Sequence, residues 1–180
     1  DEPCLVLDLD PAAQAAYATA YDALCRPSGP RLMLATYFGE LGDNLALAAR
    51  LPVAGLHIDL VRAPQQLEAV LAQLGGDPIL SLGVVDGRNV WRTDLAAAFA
   101  RVQRAVSALG TERVQIAPSC SLMFSPHDLE LETELDPELR SWLAFARQKL
   151  DELAELGRAA NQGAQAPGRL WAASPASVES

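Results

Sequence analysis

The chain has 180 residues, is 50% hydrophobic and carries a formal net charge of -9. This length can bury one substantial core, and the acidic excess argues against nucleic acid or an anionic membrane as a partner. No apolar run reaches the roughly 18 residues of a membrane span, and the acidic start predicts no signal peptide. The scattered cysteines, Cys4, Cys25 and Cys120, indicate reduced thiols and a cytoplasmic location.

Short apolar runs alternate with longer helical patterns along the chain. In chain order they predict a strand at 4–9, a helix at 10–25, a strand at 31–38, a helix at 42–51, a strand at 54–61, a helix at 63–75, a strand at 78–87, a helix at 93–110, a strand at 113–119 and a helix at 136–163. Asp10 and Asp136, each followed by proline, are typical of helix starts. The helix at 93–110 is expected to be capped by Thr93 or Asp94 and to end at Gly110. Residues 1–163 form the predicted domain, and residues 164–180 predict an irregular tail.

Five apolar strands that alternate with helices predict a parallel sheet in an α/β fold with right-handed crossovers. A closed (β/α)₈ barrel usually needs about 250 residues. Five strands therefore indicate either an open, doubly wound sheet or a partial (β/α)₈ TIM-type barrel. Because the chain starts inside a strand pattern, we expect a piece of something larger.

Polar side chains follow each predicted strand, where functional groups of parallel sheets gather. They are Asp8, residues 37–40, His57 with Asp59, residues 86–91, and residues 119–121. His57 and Asp59 are two positions apart and therefore face the same side of their strand. The sequence thus predicts one polar rim at the carboxyl ends of the strands.

Each rim residue also has a purely structural interpretation. His57 suits a hydrogen-bonded core histidine better than a metal ligand, and Asp59 could cap the following helix. Residues 86–91 could form a tight turn. Cys120 could be a metal ligand, a nucleophile or a small apolar residue in a turn, although no nucleophile elbow or metal-ligand spacing surrounds it. No nucleotide-binding glycine loop is present either.

Six segments in register resemble the N-terminal domain of cobalamin-independent methionine synthase. They are DEPCLVLDL, LATYFGELGDNL, LPVAGLHIDLVRAP, LSLGVVDGRNVWRTDL, APSCSL and LETELDPELRSWLAFARQKLDELAEL. The likeness runs from Asp1 to about Gly163 and covers roughly the last five strands of that barrel. It implies two face-to-face barrels in the intact enzyme, which transfers a methyl group from 5-methyltetrahydrofolate polyglutamate to homocysteine with zinc in its C-terminal barrel.

The resemblance also implies what the rim has lost. The ligand positions of the zinc barrel correspond here to Ala35, Tyr37, Asp59 and Cys120. Alanine cannot ligate, and a protonated phenol is a poor zinc ligand at neutral pH. Two plausible ligands are fewer than the three of a catalytic zinc site. We therefore expect no metal and no catalytic residue in this chain, with Asp59 and Cys120 as vestigial positions.

The anionic folate tail requires basic or amide side chains. Arg88, Asn89 and Arg92 are the candidates at a strand end, although an ion pair of Arg88 with Asp86 or Asp59 would explain the arginine without a ligand. The resemblance implies that this chain supports the fold and the folate tail, is inactive alone, and partners the rest of the polypeptide or a separate zinc-barrel chain.

Two other functions stay open on the sequence. A non-enzymatic interaction module would complete its sheet with a partner chain at the strands 4–9 or 114–117. A small-molecule enzyme on an open sheet would use His57, Asp59 and Cys120.

Overall fold

The computed structural model describes residues 1–26 and 28–162, so the predicted tail lies outside the described residues. The strands are β1 (Met33–Ala35), β2 (Gly55–Asp59), β3 (Ile79–Val85) and β4 (Val114–Pro118). The α-helices are α1 (Pro11–Leu24), α2 (Leu45–Ala48), α3 (Gln66–Gln73), α4 (Leu95–Leu109), α5 (Pro137–Trp142) and α6 (Ala146–Gln162). Short 3₁₀ helices lie at Pro3–Val6, Gly42–Asn44, Thr111–Arg113, Leu122–Phe124 and Leu129–Leu131. None of these helices is long and apolar enough to cross a membrane.

The four strands pair in chain order and all are parallel. Ala35 lies beside His57, and Asp59 lies beside Gly83, so the carboxyl ends of β1, β2 and β3 meet at one edge. Every residue of β2 is buried, as expected for a strand covered on both faces. The α/β prediction is confirmed, and the open sheet is consistent with part of a TIM-type barrel.

The prediction of a strand at residues 4–9 is wrong, so the described sheet has four strands rather than five. Pro3 begins a 3₁₀ turn over Pro3–Val6, which buries Leu5 in the core. The side-chain amide of Asn44 donates to the carbonyls of Leu5 and Leu7, at 2.9 and 2.7 Å. A side chain from elsewhere in the sequence therefore satisfies backbone groups that a neighbouring strand would otherwise pair.

The predicted helix at 136–163 is two helices. Asp136 caps α5 as expected, since its carboxylate accepts hydrogen bonds from the backbone N–H groups of residues 138 and 139. Leu143 then forms an antiparallel bridge with Trp91, and the Ala144 N–H donates to the Val90 carbonyl at 2.8 Å. This pairing with the segment after β3 holds the backbone extended, so α6 starts anew at Ala146.

The local helix signals are confirmed at α1 and α4. The Asp10 carboxylate accepts from Ala13 N at 2.7 Å, and the Asp94 carboxylate accepts from Ala97 N at 3.0 Å. Gly110 ends α4 with φ of 83°, a left-handed conformation that glycine adopts without strain. The buried face of α4 packs on the sheet, and α3 and α6 lie beside α4.

Candidate functional site

The structure brings the predicted rim together at the carboxyl ends of β1 to β4, with one exception. Asp8 follows no strand and is exposed. His57 and Asp59 lie in the second half of β2, and the other segments follow β1, β3 and β4. The parallel register places all four strand exits on one side.

Asp59 ties two strand exits together. One carboxylate oxygen accepts from the Phe38 N–H after β1 at 3.0 Å, and the other accepts from the N–H groups of Val61 and Arg62, each at 2.9 Å. The residue is 1% exposed. Asp59 therefore caps the turn after β2 and not α3, which starts at Gln66.

His57 is a hydrogen-bonded core histidine. Its Nδ1 lies 2.9 Å from the Ser81 hydroxyl, and its Nε2 lies 3.3 Å from the Ser119 carbonyl. A carbonyl only accepts, so Nε2 carries the proton and Nδ1 accepts from Ser81. Burial lowers the pKa of His57, although the Ser119 carbonyl and the charge of Asp59 oppose this shift. The structure therefore supports a neutral imidazole with both nitrogens already occupied.

Cys120 is buried in a tight junction between the loops after β3 and β4. A Cβ atom added to Gly87 would lie 2.7 Å from the Cys120 carbonyl oxygen and 3.0 Å from its Sγ. The Gly87 N–H donates to the Ser119 hydroxyl at 3.2 Å. Burial raises the pKa of the Cys120 thiol, which disfavours the thiolate that a nucleophile requires. The packing supports the interpretation as a small residue in a turn.

The four positions that the resemblance predicts to correspond to zinc ligands do not fit the metal. Ala35 has no donor atom, the Tyr37 hydroxyl donates to the Asp1 carboxylate at 3.2 Å, and both oxygens of Asp59 accept backbone N–H groups. Cys120 alone cannot hold zinc. Within residues 1–26 and 28–162, no group of three or more His, Cys, Asp or Glu side chains could hold a metal ion.

An exposed aromatic cluster lies at the same edge of the sheet; we call Tyr37, Phe38, Arg88 and Phe124 the Phe38 cluster. The guanidinium carbon of Arg88 lies 4.6 Å from the centroid of the Phe38 ring, a cation–π arrangement. Tyr37 and Phe124 contact the same ring edge to face. Phe38 has φ of 77°, which is strained for a residue with a side chain, and its N–H is held by Asp59.

Polar side chains of the segment after β3 form hydrogen bonds within the protein. The Asp86 carboxylate accepts from the Arg88 N–H at 2.7 Å and from the Asn89 amide nitrogen at 2.9 Å. The Arg92 guanidinium donates to the Ser141 carbonyl at 3.3 Å. Arg88 is exposed, and its guanidinium forms no ion pair with Asp86, Asp59 or any other described carboxylate.

The three folate-tail candidates do not share one cleft. A cavity of about 320 Å³ lies between the exits of β2 and β3 and the start of α4. Asn89 and Arg92 line it together with Arg101, whereas Arg88 lies outside it. Asp86 and Asp94 also line the cavity, so its lining includes residues of both charges.

Sequence reasoning missed Lys149 and Glu152, two buried charged residues of α6. Lys149 donates to the Asn89 side-chain oxygen and the Trp91 carbonyl, each at 3.0 Å. Glu152 accepts from the N–H and the hydroxyl of Thr93, at 3.0 and 2.7 Å. The sequence did contain a signal for their burial. Lys149 and Glu152 lie at helical spacing from Leu156, which places all three on the packed face of α6.

The parallel strands, the helices between them and the polar groups at the strand exits define an α/β protein with the architecture of a partial barrel. A sequence model of the family described as "Cobalamin-independent synthase, N-terminal domain" matches residues 1–110. The chain belongs to this family, as the six sequence segments predicted.

Several curated relatives carry the name 5-methyltetrahydropteroyltriglutamate–homocysteine methyltransferase. The chain is 60% identical to the protein of Chelativorans sp. over 159 residues, which are 88% of the chain and 20% of the relative. It is 59% identical to that of Nitrobacter winogradskyi over 165 residues, 91% of the chain and 21% of the relative. It is 52% identical to that of Acidithiobacillus ferrooxidans over 180 residues, 100% of the chain and 23% of the relative. The chain therefore spans about a fifth of the length of these relatives.

Proposed function

We propose that this chain is part of a methyltransferase that transfers the methyl group of 5-methyltetrahydrofolate polyglutamate to homocysteine. The observation that carries the proposal is the 52–60% identity, over most of the chain, to relatives whose name states this reaction. Within such an enzyme, this part supports the barrel fold and binds the anionic folate tail.

Arg88 is the residue best suited to contact the tail. It is exposed at the carboxyl edge of the sheet, and its guanidinium is held over the Phe38 ring without an ion pair to a described carboxylate. Arginine binds carboxylates through paired N–H groups. Arg92 adds a second positive charge, whereas the Asn89 amide is already bonded to Asp86 and Lys149 and therefore acts by positioning the loop.

Zinc, in this proposal, belongs to another part of the enzyme. The residues at Ala35, Tyr37, Asp59 and Cys120 do not supply three available ligands, which a catalytic zinc ion requires. The zinc would come from the rest of the polypeptide or from a separate chain. We expect no turnover when the purified chain receives zinc, homocysteine and the methylated folate, and turnover by the chain alone would contradict this assignment.

Binding of the tail is tested by calorimetry at low salt, comparing the triglutamate and monoglutamate forms of 5-methyltetrahydrofolate. We expect the triglutamate form to bind about tenfold more tightly, since a charged hydrogen bond contributes about that factor. Arg88→Gln should remove most of the difference. Arg50→Gln is the matched control, because Arg50 is exposed just before the amino end of β2. Equal affinity of the wild-type chain for both forms would contradict tail binding.

A second candidate function is a non-enzymatic module that completes its sheet with a partner chain. The observation in its favour is that β4 pairs only with β3 within the described residues, and that its residues are only partly buried. Of the two edges that the sequence predicted for this pairing, residues 4–9 are not a strand, so β4 is the one that the structure retains. Sedimentation decides: a monomer at high concentration counts against self-association through β4.

A further inference from the structure

Lys149 is a cation on α6 with no exposed surface. A buried ammonium is costly unless acceptors surround it, and Nζ donates to the Asn89 side-chain oxygen and to the Trp91 carbonyl, each at 3.0 Å. Burial lowers the pKa of Lys149, whereas the carboxylates of Glu152 and Asp86 oppose the shift. Both hydrogen bonds of the Lys149 ammonium go to the segment after β3.

The lysine selects the orientation of the Asn89 amide. An ammonium only donates, so the amide oxygen must face Lys149, and that oxygen also accepts from the Trp91 N–H at 3.1 Å. The amide nitrogen then faces Asp86 and donates to it at 2.9 Å. The other oxygen of Asp86 accepts from the Arg88 N–H at 2.7 Å.

A continuous series of hydrogen bonds therefore runs from α6 to the backbone of Arg88. We infer that Lys149 is a positioning residue that, through Asn89 and Asp86, fixes the turn presenting Arg88 to the folate tail without contacting the tail itself. The inference rests on the proposed function for the ligand of Arg88. The alternative is that Lys149 only balances the buried charge of Glu152.

Three variants separate these roles: Lys149→Met, Asn89→Ala and the combination of both. The first readout is amide hydrogen exchange at Arg88 and Trp91. We expect exchange at both amides to accelerate at least about tenfold in each single variant, while the amide of Leu82 in β3 stays protected. The combination should exchange no faster than the single variants, because both changes break the same series.

Leu156→Ala supplies the matched control for general destabilisation. Leu156 lies on the same face of α6 and is fully buried, but makes none of the contacts to the segment after β3 described above. Its truncation should lower overall stability and change exchange throughout the core, with no selective effect at Arg88. Selective acceleration at Arg88 in Leu156→Ala, or unchanged exchange there in Lys149→Met, overturns the inference.

The second readout is the affinity for 5-methyltetrahydrofolate triglutamate. We expect Lys149→Met to weaken it about tenfold, as loss of one charged interaction would, and to leave the monoglutamate affinity nearly unchanged. If the wild-type chain does not discriminate between the two forms, the proposed function fails, while hydrogen exchange still decides whether Lys149 fixes the turn. If exchange accelerates but triglutamate affinity is unchanged, the positioning role in tail binding is overturned.

Discussion

Asp59 joins the exits of β1 and β2, and its replacement by asparagine isolates what the carboxylate contributes. An asparagine can keep one oxygen towards the N–H groups of Val61 and Arg62, but its amide nitrogen then faces the Phe38 N–H. The Phe38 N–H, in a partly buried site, loses its acceptor, which costs about 1–3 kcal/mol. The two remaining hydrogen bonds, from Val61 and Arg62, become weaker because their acceptor is no longer charged. A neutral amide also costs less to bury than a carboxylate, which offsets part of this loss.

We therefore expect Asp59→Asn to lower the free energy of unfolding by about 2 kcal/mol. Urea unfolding followed by circular dichroism measures it. Asp8→Asn is the matched control, since Asp8 is exposed, and should change stability by less than about 0.5 kcal/mol. An Asp59→Asn value as small as that of the control would refute the argument that the three N–H groups depend on this carboxylate.

The remaining predictions concern glycines and a partly buried phenol. Gly87→Ala should lower the free energy of unfolding by about 1–3 kcal/mol, because the new Cβ would lie 2.7 Å from the Cys120 carbonyl oxygen. Gly75→Ala is the control, since Gly75 has open space around it, and equal urea midpoints for the two variants would contradict the clash. Gly157→Ala should raise stability by about 0.5–1 kcal/mol, since it lies inside α6 with no atom within 4 Å of the new Cβ; a lower urea midpoint would contradict this. Burial, and then hydrogen bonds to the adjacent thiol and carboxylate, raise the pKa of Tyr17 well above 10.0. The folded state thus holds this proton more tightly, so its stabilisation is complete below about pH 10 and is lost as the pH rises further. Tyr17→Phe should flatten that decline in unfolding measured against pH, and an unchanged decline would exclude the phenol as its source.

The sequence predicted those features that depend on neighbouring residues. The caps at Asp10 and Asp94 and the stop at Gly110 depend on contacts within one helical turn, and all three are present. The position of the rim was also predictable, because any parallel α/β sheet places its strand exits on one edge. The family resemblance came from six segments in register and is confirmed by the match over residues 1–110.

Features that depend on distant residues were not predictable. Residues 4–9 have a strand-like pattern, but the side-chain amide of Asn44, 39 positions from Leu5, donates to the Leu5 carbonyl. The break between α5 and α6 arises because Leu143 pairs with Trp91. The sequence predicts Asp59 as a helix cap or a metal ligand, yet one of its hydrogen-bond donors is the N–H of Phe38, 21 positions earlier. Helical periodicity contains no information about such contacts.

The hydrogen bond between Lys149 and Asn89 joins residues 60 positions apart. On the ribosome, the turn that carries Arg88 is therefore synthesised before α6, and this hydrogen bond cannot form until α6 has emerged. The sheet can assemble first while this turn still samples other conformations. Under the proposed function, the surface around Arg88 would therefore take its final form only after α6 has been synthesised.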